Sequence, residues 1–369
     1  MDGRDEPEAS PWPRRSTRAV RVGGVTIGGG APVSVQTMTK TDTLDVARTL
    51  EQIRRSVSAG AELVRVAVPR METIAAFAEI VQSSPVPIIA DVHFHHEVAI
   101  AAVRAGAHKL RINPGNIGGD DRLAGVAEAA GEAGIPIRVG VNSGSLEKGI
   151  LQRDGGVTAE GLAESALRSA ERMRRVGFEE LVVSIKAAEV PLTVAANRAF
   201  AAQSDLPLHL GITEAGYGRA AVVSSSAGLG VLLAEGIGDT IRVSMTDPPE
   251  DEAEVGAAIL RSLGLRTGPW LISCPTCGRC QVDLAPLARR VGEALRELDA
   301  PLAVAVMGCE VNGPGEARQA DIGLACGRGR AVIFARGERL DTVPIERAAE
   351  VLIERMRAMA QEMDPPRRH

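Results

Sequence analysis

Three cysteines in the last third of the chain have the residue types and spacing of a metal centre. Cys274 and Cys277 form a C-x2-C pair directly after a predicted strand, and Cys309 follows another predicted strand in a loop rich in glycine and proline. A C-x2-C turn brings two thiolates onto one metal centre, and glycine and proline let the backbone fold around bulky sulfide. The pattern therefore indicates an iron-sulfur or a zinc site.

Zinc is the alternative to a cluster. Structural zinc sites usually combine one C-x2-C pair with a second such pair or with two spaced histidines. Here Cys309 and Cys326 stand alone in the sequence, and His369 is the only histidine of the C-terminal region. We therefore favour a [4Fe-4S] cluster over zinc.

Three thiolates leave room for a fourth, weaker ligand, and Glu316 in the loop after Cys309 is the candidate. A carboxylate is displaced more readily than a thiolate, so the iron that it holds could bind substrate; otherwise Glu316 is an ordinary loop acid. Cys280 extends the pair into a C-x2-C-x2-C run and is a ligand, a spare thiol or a surface residue. Cys326, in an apolar run, is interpreted as a buried structural thiol.

A second group of polar residues lies near the ends of apolar runs in the first two thirds of the chain. Five of its members are cations, which suits a phosphate or diphosphate, because one guanidinium can bind two oxygens at once. Asp91 and His93 are interpreted as polar substrate contacts, and His209 as a satisfied core residue. The group comprises Arg65, Asp91, His93, Arg111, Asn113, Arg138, Asn142, Lys186, Glu214, Arg242 and Ser244.

Alternating short strands and longer helical segments must position these residues. Eight β-branched or apolar runs recur, each followed by an Ala-, Glu- and Arg-rich stretch of helical period, which predicts an α/β protein with a parallel (β/α)8 TIM barrel. A doubly wound open sheet is the structural alternative. The runs are centred on residues 33–35, 63–68, 86–90, 110–112, 135–141, 181–185, 208–212 and 241–244.

The pattern changes after Leu265, so the sequence predicts two domains. We expect residues 1–15 to be a disordered lead-in, residues 16–267 to form the substrate-binding barrel, and residues 268–369 to form a small α+β domain with the cluster. In that domain we predict a strand up to Ser273, a helix over 283–298, a strand over 303–307, two strands around Ile322 and Ile333, and a closing helix over 345–363.

The composition limits the possible partners. The formal net charge is −5 without a long basic block, so neither nucleic acid nor an anionic membrane is expected as a partner. The sequence contains no signal-peptide pattern and no apolar run long enough to span a bilayer, which predicts a cytoplasmic protein. In such a protein, five cysteines favour metal binding or catalysis over disulfides.

The motifs together resemble those of the 4-hydroxy-3-methylbut-2-enyl diphosphate synthase family, iron-sulfur enzymes of non-mevalonate isoprenoid biosynthesis. The resemblance covers nearly the whole chain from Arg15 to the final helix. It is carried by both cysteine loops and by the segments at 34–39, 64–69, 90–94, 110–118, 140–147 and 208–216. This chain has the short two-domain form that is usual in bacteria.

The resemblance implies a function for each group of residues. Cys274, Cys277, Cys309 and Glu316 would hold the [4Fe-4S] cluster, with Glu316 yielding its iron to substrate, and Glu214 would be the catalytic acid. The five cations would hold 2-C-methyl-D-erythritol 2,4-cyclodiphosphate, helped by Asn142 and Ser244, while the ring is reductively opened and water is lost. Flavodoxin or ferredoxin would supply the two electrons, and the family implies a head-to-tail homodimer. Cys280 and Cys326 depart from the family pattern.

Two other functions remain open at this point. One is a non-redox phosphate enzyme on the same barrel with a structural zinc domain, which the incomplete set of zinc ligands disfavours. The other is a cluster-bearing sensor without chemistry, which would leave Glu214 and the five cations without a task.

Overall fold

The structure is a computed structural model that describes residues 12–298, 300–309 and 320–363. The chain divides into two compact units, of which the first ends at Arg266 and the second begins at Thr267. This division lies one residue from the expected domain boundary. No described helix is long and apolar enough to cross a membrane.

Eight parallel strands form a closed barrel in the first unit. In order around the sheet each strand is hydrogen-bonded to the next, and a bridge between Val183 and Leu208 joins the two ends of the sheet. The closure confirms the predicted TIM barrel and rules out the open sheet. The strands are β3 (Ser34–Met38), β4 (Leu63–Ala67), β5 (Ile88–Asp91), β6 (Lys109–Ile112), β7 (Ile137–Asn142), β8 (Leu181–Lys186), β9 (His209–Leu210) and β10 (Thr240–Ile241).

Helices surround the barrel, and their ends match local sequence signals. Asp45 caps the first helix by accepting a hydrogen bond from the Arg48 amide, and Thr158 caps a later one by accepting from Gly161. Aliphatic residues on the outer faces of the strands pack against these helices and form the main core. The helices are α1 (Val46–Ser58), α2 (Ile74–Ser83), α3 (His96–Arg104), α4 (Pro114–Ile117), α5 (Asp120–Glu132), α6 (Lys148–Asp154), α7 (Ala159–Arg175), α8 (Val190–Ala201), α9 (Gly218–Ala234) and α10 (Pro249–Ser262).

A short hairpin closes one end of the barrel. Its strands, β1 (Val20–Val22) and β2 (Val25–Ile27), precede β3 in the chain and pair antiparallel. Their buried valines and Ile27 form one cluster with Leu63, Ile89 and Val182 of the barrel strands. This apolar cluster fills the amino-terminal end of the barrel, so polar side chains can face inward only above it.

Strand alternation determines which residues face the barrel interior. On β6, Leu110 and Ile112 belong to the outer aliphatic core, so Lys109 and Arg111 face inward. On β7, Ile137 and Val139 are in the same core, and Arg138 therefore also faces inward. The interior above the hairpin is consequently polar and rich in cations.

The segment just before the hairpin is ordered where the structure describes it, which corrects the expectation of disorder for residues 12–15. The Trp12 indole donates to the Leu263 carbonyl at 2.8 Å, and Arg14 donates to the carbonyls of Leu233 and Gly238. Arg15 donates to the carbonyls of Ala201, Ser204 and Leu206. The segment thus binds carbonyl groups at the carboxyl ends of α8, α9 and α10, which the sequence alone did not reveal.

The described residues of the second unit form a five-stranded mixed sheet with two helices. Its first three strands are parallel and the last two pair antiparallel, in the order β11 to β15. The sheet has one strand more than predicted, β15, and the closing helix begins later because residues 345–347 form a 3-10 turn. The elements are β11 (Trp270–Ser273), α11 (Leu284–Leu298), β12 (Ala303–Met307), β13 (Ile322–Gly327), β14 (Arg330–Ala335), β15 (Glu338–Pro344) and α12 (Ala348–Glu362).

Candidate functional site

The cations that the sequence singled out lie on or just after the barrel strands, with Lys186 at the carboxyl end of β8 and Arg138 near the start of β7. Arg111, Arg138 and Lys186 are buried, and Arg65 and Arg242 are nearly so, with side chains 12% and 13% exposed. Each of Arg65, Arg111 and Arg242 is close enough to Arg138 to lower its pKa. Burial and the same guanidinium groups also lower the pKa of Lys186. The structure therefore brings all five predicted cations into one cluster.

Asp91 is the acidic centre of one side of this cluster. Its carboxylate accepts a hydrogen bond from Arg111 at 3.1 Å and lies 3.8 Å from the Arg65 guanidinium. The His93 ring nitrogen Nε2 lies 2.6 Å from Arg111 and 3.5 Å from Asp91. Burial raises the pKa of Asp91, but Arg65, His93 and Arg111 outweigh it and hold that pKa well below its usual range. Asp91 is therefore ionised and orients Arg111.

Glu252, at the start of α10, is a second buried carboxylate that sequence reasoning missed. It accepts from Arg242 at 3.2 Å and from the Thr37 hydroxyl at 2.8 Å, and it lies 3.2 Å from the Lys40 ammonium. It stands in a run of acids that looks like the solvated first turn of a helix, so only the fold shows that it faces inward. Glu252 fixes Arg242 in the way that Asp91 fixes Arg111.

Within the part of the chain that the structure describes, neither Arg138 nor Lys186 forms an ion pair with a carboxylate, although Asp91 is near enough to Arg138 to oppose part of the lowering of its pKa. Arg138 is 1% exposed, and its Nε has no hydrogen-bond partner among the described residues. Burial lowers the pKa of both groups well below the ordinary values, and the neighbouring cations lower it further. Buried charges are normally paired. An anionic ligand would supply the missing negative charge.

Two further polar residues inside the barrel were not singled out from the sequence, and one earlier interpretation is corrected. Lys109 and Gln36 are fully buried with no partner for the ammonium or for either amide atom among the described residues. His209 is also fully buried, but neither ring nitrogen has a partner in that part of the chain, so it is not the satisfied core residue that was expected. The sequence could have indicated Lys109, because it stands two residues before Arg111 in one strand and therefore shares its face.

The remaining predicted residues lie at the ends of the same strands but make fewer contacts. The Asn113 side chain caps α4 by accepting from the Gly115 amide at 3.0 Å. Asn142 ends β7, and Ser244 follows β10; both are partly exposed. Glu214 is exposed in the loop after β9 and has a φ of 53°, a conformation that is uncommon outside glycine and is often found at functional sites.

The cysteines of the second unit lie at the carboxyl ends of neighbouring strands. β11 and β12 pair in parallel with Ser273 opposite Val306, so Cys274 and the loop of Cys309 follow at the same edge of the sheet. The Cys274 amide donates to the Val306 carbonyl at 3.0 Å, and the Gln281 amide donates to the Gly308 carbonyl at 3.2 Å. These hydrogen bonds hold the two cysteine loops side by side.

Cys280 and Cys326 differ from the other three cysteines. A side chain on Gly308 would come within 2.5 Å of the Cys280 sulfur, and the Cys280 thiol donates to the Val282 carbonyl at 3.3 Å. Cys326 is fully buried in β13. This burial, and to a smaller extent the nearby Cys280, raises the pKa of the Cys326 thiol to about 11. A thiol with so high a pKa is a poor metal ligand, because the thiolate is the binding form.

The donor set fits a cluster held by three thiolates. No disulfide joins any of the described cysteines, Cys277 is exposed, and Cys274 and Cys309 lie in loops that backbone hydrogen bonds hold together. Within the described residues, no three His, Cys, Asp or Glu side chains are already arranged around a single metal ion. Glu316, the predicted fourth ligand, lies outside the described residues.

A (β/α)8 barrel with a cation-lined mouth, joined to a domain with strand-end cysteines, defines an enzyme class that acts on anionic substrates. The chain belongs to the GcpE family: the GcpE TIM-barrel domain model matches residues 17–257, and the GcpE protein C-terminal domain model matches residues 270–358. The family resemblance found in the sequence is thereby confirmed.

Curated relatives are similar over almost their whole length. A protein of Natranaerobius thermophilus is 51% identical over 92% of this chain and 95% of its own, and one of Aquifex aeolicus is 50% identical over 95% and 98%. Both are named 4-hydroxy-3-methylbut-2-en-1-yl diphosphate synthase (flavodoxin). Among solved structures, a Yersinia pestis dihydropteroate synthase covers 67% of this chain and 98% of its own at 16% identity and a TM-score of 0.47.

Proposed function

We propose that this protein is a 4-hydroxy-3-methylbut-2-enyl diphosphate synthase, which opens the ring of 2-C-methyl-D-erythritol 2,4-cyclodiphosphate with loss of water. The names of the relatives, which are 51% and 50% identical over 92% and 95% of this chain, suggest this reaction. The observation that carries the proposal is the group of buried cations at the barrel mouth, where Arg138 and Lys186 form no ion pair with any carboxylate of the described residues and each is surrounded by further cations. A cyclic diphosphate supplies the negative charge that these residues need.

The reaction requires electrons as well as a proton. The bond from carbon 2 to its phosphate oxygen breaks, the hydroxyl group leaves carbon 3, and a double bond forms between these carbons. Two electrons enter, the phosphate oxygen leaves as an anion, and the hydroxyl takes one proton to become water. A residue that donates a proton near carbon 3 and a residue that binds the released phosphate are both needed.

The barrel residues have distinct roles in this proposal. Arg138 and Lys186 bind the diphosphate directly, and Arg65, Arg111 and Arg242 surround it. Asp91 and Glu252 keep the guanidinium groups of Arg111 and Arg242 in place. His93, Asn113, Asn142 and Ser244 contact the substrate, because they lie at the same strand ends.

Glu214 donates the proton to the departing hydroxyl group. It is exposed in the loop that follows β9, at the end of the barrel where substrate would enter. Its backbone holds an uncommon conformation, and such strain is often found where a side chain is held for catalysis.

Cys274, Cys277 and Cys309 hold a [4Fe-4S] cluster, with Glu316 as its displaceable fourth ligand. When bound, the cluster supplies the two electrons one at a time, which a hydride carrier cannot do. Cys280 and Cys326 are not ligands, since one contacts the Gly308 loop and the other is buried with a raised pKa. Reduced flavodoxin is the electron donor, as the names of the relatives suggest. The active form is a head-to-tail homodimer in which each cluster domain serves the barrel of the other chain.

The first experiment is metal and sulfide analysis of the anaerobically purified protein, followed by turnover. About four irons and four sulfides per chain, and formation of the linear diphosphate with reduced flavodoxin, would support the proposal. Stoichiometric zinc without sulfide would instead favour the non-redox enzyme. Iron and sulfide without turnover would favour the sensor.

A further inference from the structure

Three polar side chains form a layer inside the barrel, below the cations of the mouth. We call Gln36, Lys109 and His209 the inner polar layer. All three are fully buried. They come from three different strands, β3, β6 and β9. All three occupy inward positions, because their strand neighbours belong to the outer aliphatic core or to the helix-facing side.

The inner polar layer is not satisfied by protein atoms. The Lys109 ammonium, both amide atoms of Gln36 and both ring nitrogens of His209 have no hydrogen-bond partner among the described residues. Native proteins leave very few buried polar groups unpaired, and each exception requires an explanation. Five such atoms on three inward-facing side chains indicate a bound species.

The charges in the inner polar layer indicate that this species is an anion. The charged groups close enough to act on Lys109 are Arg138 and Arg65, and those acting on His209 are Lys186, Arg138, Lys109 and Arg65. No carboxylate is in either set. Burial and these cations lower the pKa of Lys109 and of His209 well below the ordinary values, whereas an adjacent anion would oppose that effect.

The inner polar layer lies deeper in the barrel than the cations at the mouth. Lys109 stands two residues before Arg111 on β6, which is about 7 Å closer to the hairpin end of the barrel. His209 stands two residues before Gly211, where an added side chain would come within 2.5 Å of the Lys186 ammonium. Arg111 and Lys186 thus lie above the layer, and only a small species fits beneath them.

We propose that the inner polar layer is an anion-binding site that takes one small monovalent inorganic anion of the halide class. The site is separate from the diphosphate site proposed at the mouth, and it does not depend on that function. Lys109 provides the positive charge, the Gln36 amide nitrogen donates a hydrogen bond, and the anion balances the Lys109 ammonium, whose charged neighbours Arg138 and Arg65 are both cations.

The direct test is a crystal of the substrate-free protein grown with sodium bromide, with anomalous scattering measured at the bromine edge. We expect an anomalous peak within hydrogen-bonding distance of the Lys109 ammonium. A peak only at the mouth near Lys186, or water alone beside Lys109, would overturn the proposal.

A solution test separates a specific site from general salt effects. At constant ionic strength, replacing sodium gluconate by sodium chloride should raise the Tm of the wild-type protein in proportion to the logarithm of chloride concentration once the site is saturated. Lys109→Met should lose this shift. Lys148→Met, which removes the same charge from an exposed helix position, should keep it. Equal chloride responses in the two variants would contradict the proposal.

Discussion

Arg138 is the residue whose environment most strongly requires a ligand. Arg111 donates a hydrogen bond to Asp91, and Arg242 donates one to Glu252. The Arg138 Nε, in contrast, has no acceptor among the described residues. The positive charge of Arg138 is therefore available to bind a diphosphate. When no ligand is bound, this charge is buried without an anion beside it. Removing that charge should affect ligand binding far more than folding.

Arg138→Met is expected to weaken binding of the cyclic diphosphate about 10- to 100-fold, because a hydrogen bond to a charged group contributes roughly 1.5–3 kcal/mol. Isothermal titration with the cyclic diphosphate measures the change. The control is Arg48→Met, since the Arg48 side chain is 76% exposed on α1 and should leave affinity unchanged. An Arg138→Met protein with full affinity, or one that has lost its iron, would show that the residue is wrongly assigned.

The five cysteines should separate into ligands and structural thiols when each is replaced. Cys280→Ser should retain full iron content, because a hydroxyl can keep the hydrogen bond to the Val282 carbonyl. Cys309→Ser should lose most of its iron, because serine is a poor ligand for this kind of cluster. Iron and sulfide analysis after anaerobic purification measures both. Loss of iron in Cys280→Ser would place Cys280 among the ligands.

At the scale of elements, the barrel is stabilised by a segment that has no regular structure. Residues 12–15 donate to carbonyls near the ends of three consecutive helices, where carbonyl groups have no partner within the helix. The segment thus joins α8, α9 and α10, which are separate in sequence. This contribution should appear in stability and not in catalysis.

Arg15→Ala should lower the free energy of unfolding of the barrel by about 1–3 kcal/mol, because three carbonyl groups lose a charged donor. Arg18→Ala is the matched control, since its pairs with Glu179 and Asp205 are exposed and should contribute at most about 1 kcal/mol. Chemical denaturation measures both changes in a Trp270→Phe background, where Trp12 is the one remaining tryptophan. Equal effects of the two substitutions would contradict the role of Arg15.

At the scale of the whole barrel, buried cationic groups should make stability depend on pH. Burial is the largest cause that lowers the pKa of His209 well below its ordinary value, and the nearby charges of Lys186 and Arg138 lower it further. Below about pH 6.5 the unfolded chain therefore takes up a proton at this residue while the folded barrel does not. Because the unfolded state then binds more protons, the free energy of unfolding decreases as pH falls.

The expected slope from His209 is about 1.4 kcal/mol per pH unit below pH 6.5, down to the lowered pKa of the folded state. His209→Gln should remove this contribution, and His95→Gln, at an exposed position, should not. Denaturation at several pH values in gluconate buffer, which excludes halide binding, measures the slopes. A slope in His209→Gln that equals that of the wild type would show that His209 is protonated inside the barrel.

The proposed head-to-tail dimer can be tested by complementation between whole chains. Arg138→Met leaves the cluster cysteines intact, and Cys309→Ser leaves the barrel intact. At a substrate concentration too low for Arg138→Met to turn over, refolding the two proteins together should restore turnover if each cluster domain serves the barrel of the other chain, with one competent site per heterodimer. Each protein refolded alone is the control. No recovery, although mixed dimers form, would mean that the barrel and the cluster of one chain act together.

The sequence by itself determined much of the architecture and most of the chemistry. Strand count and spacing predicted the barrel, and the position of charged residues near the ends of apolar runs singled out Arg111 and Arg138. The C-x2-C pair and Cys309 were recognisable because metal ligands must come from particular residue types at short spacing. These features are local, so they can be read along the chain.

Only the tertiary structure decided which charges are paired and how deep each residue lies. Glu252 bonds Thr37 across more than two hundred residues of sequence, and nothing local distinguishes it from the solvated acids beside it. Lys109 shares a strand face with Arg111, but its lack of a partner among the described residues depends on what the seven other strands place inside the barrel. Alternation fixes the face that a side chain takes, whereas closure of the barrel fixes its neighbours, and neighbours determine charge pairing and pKa.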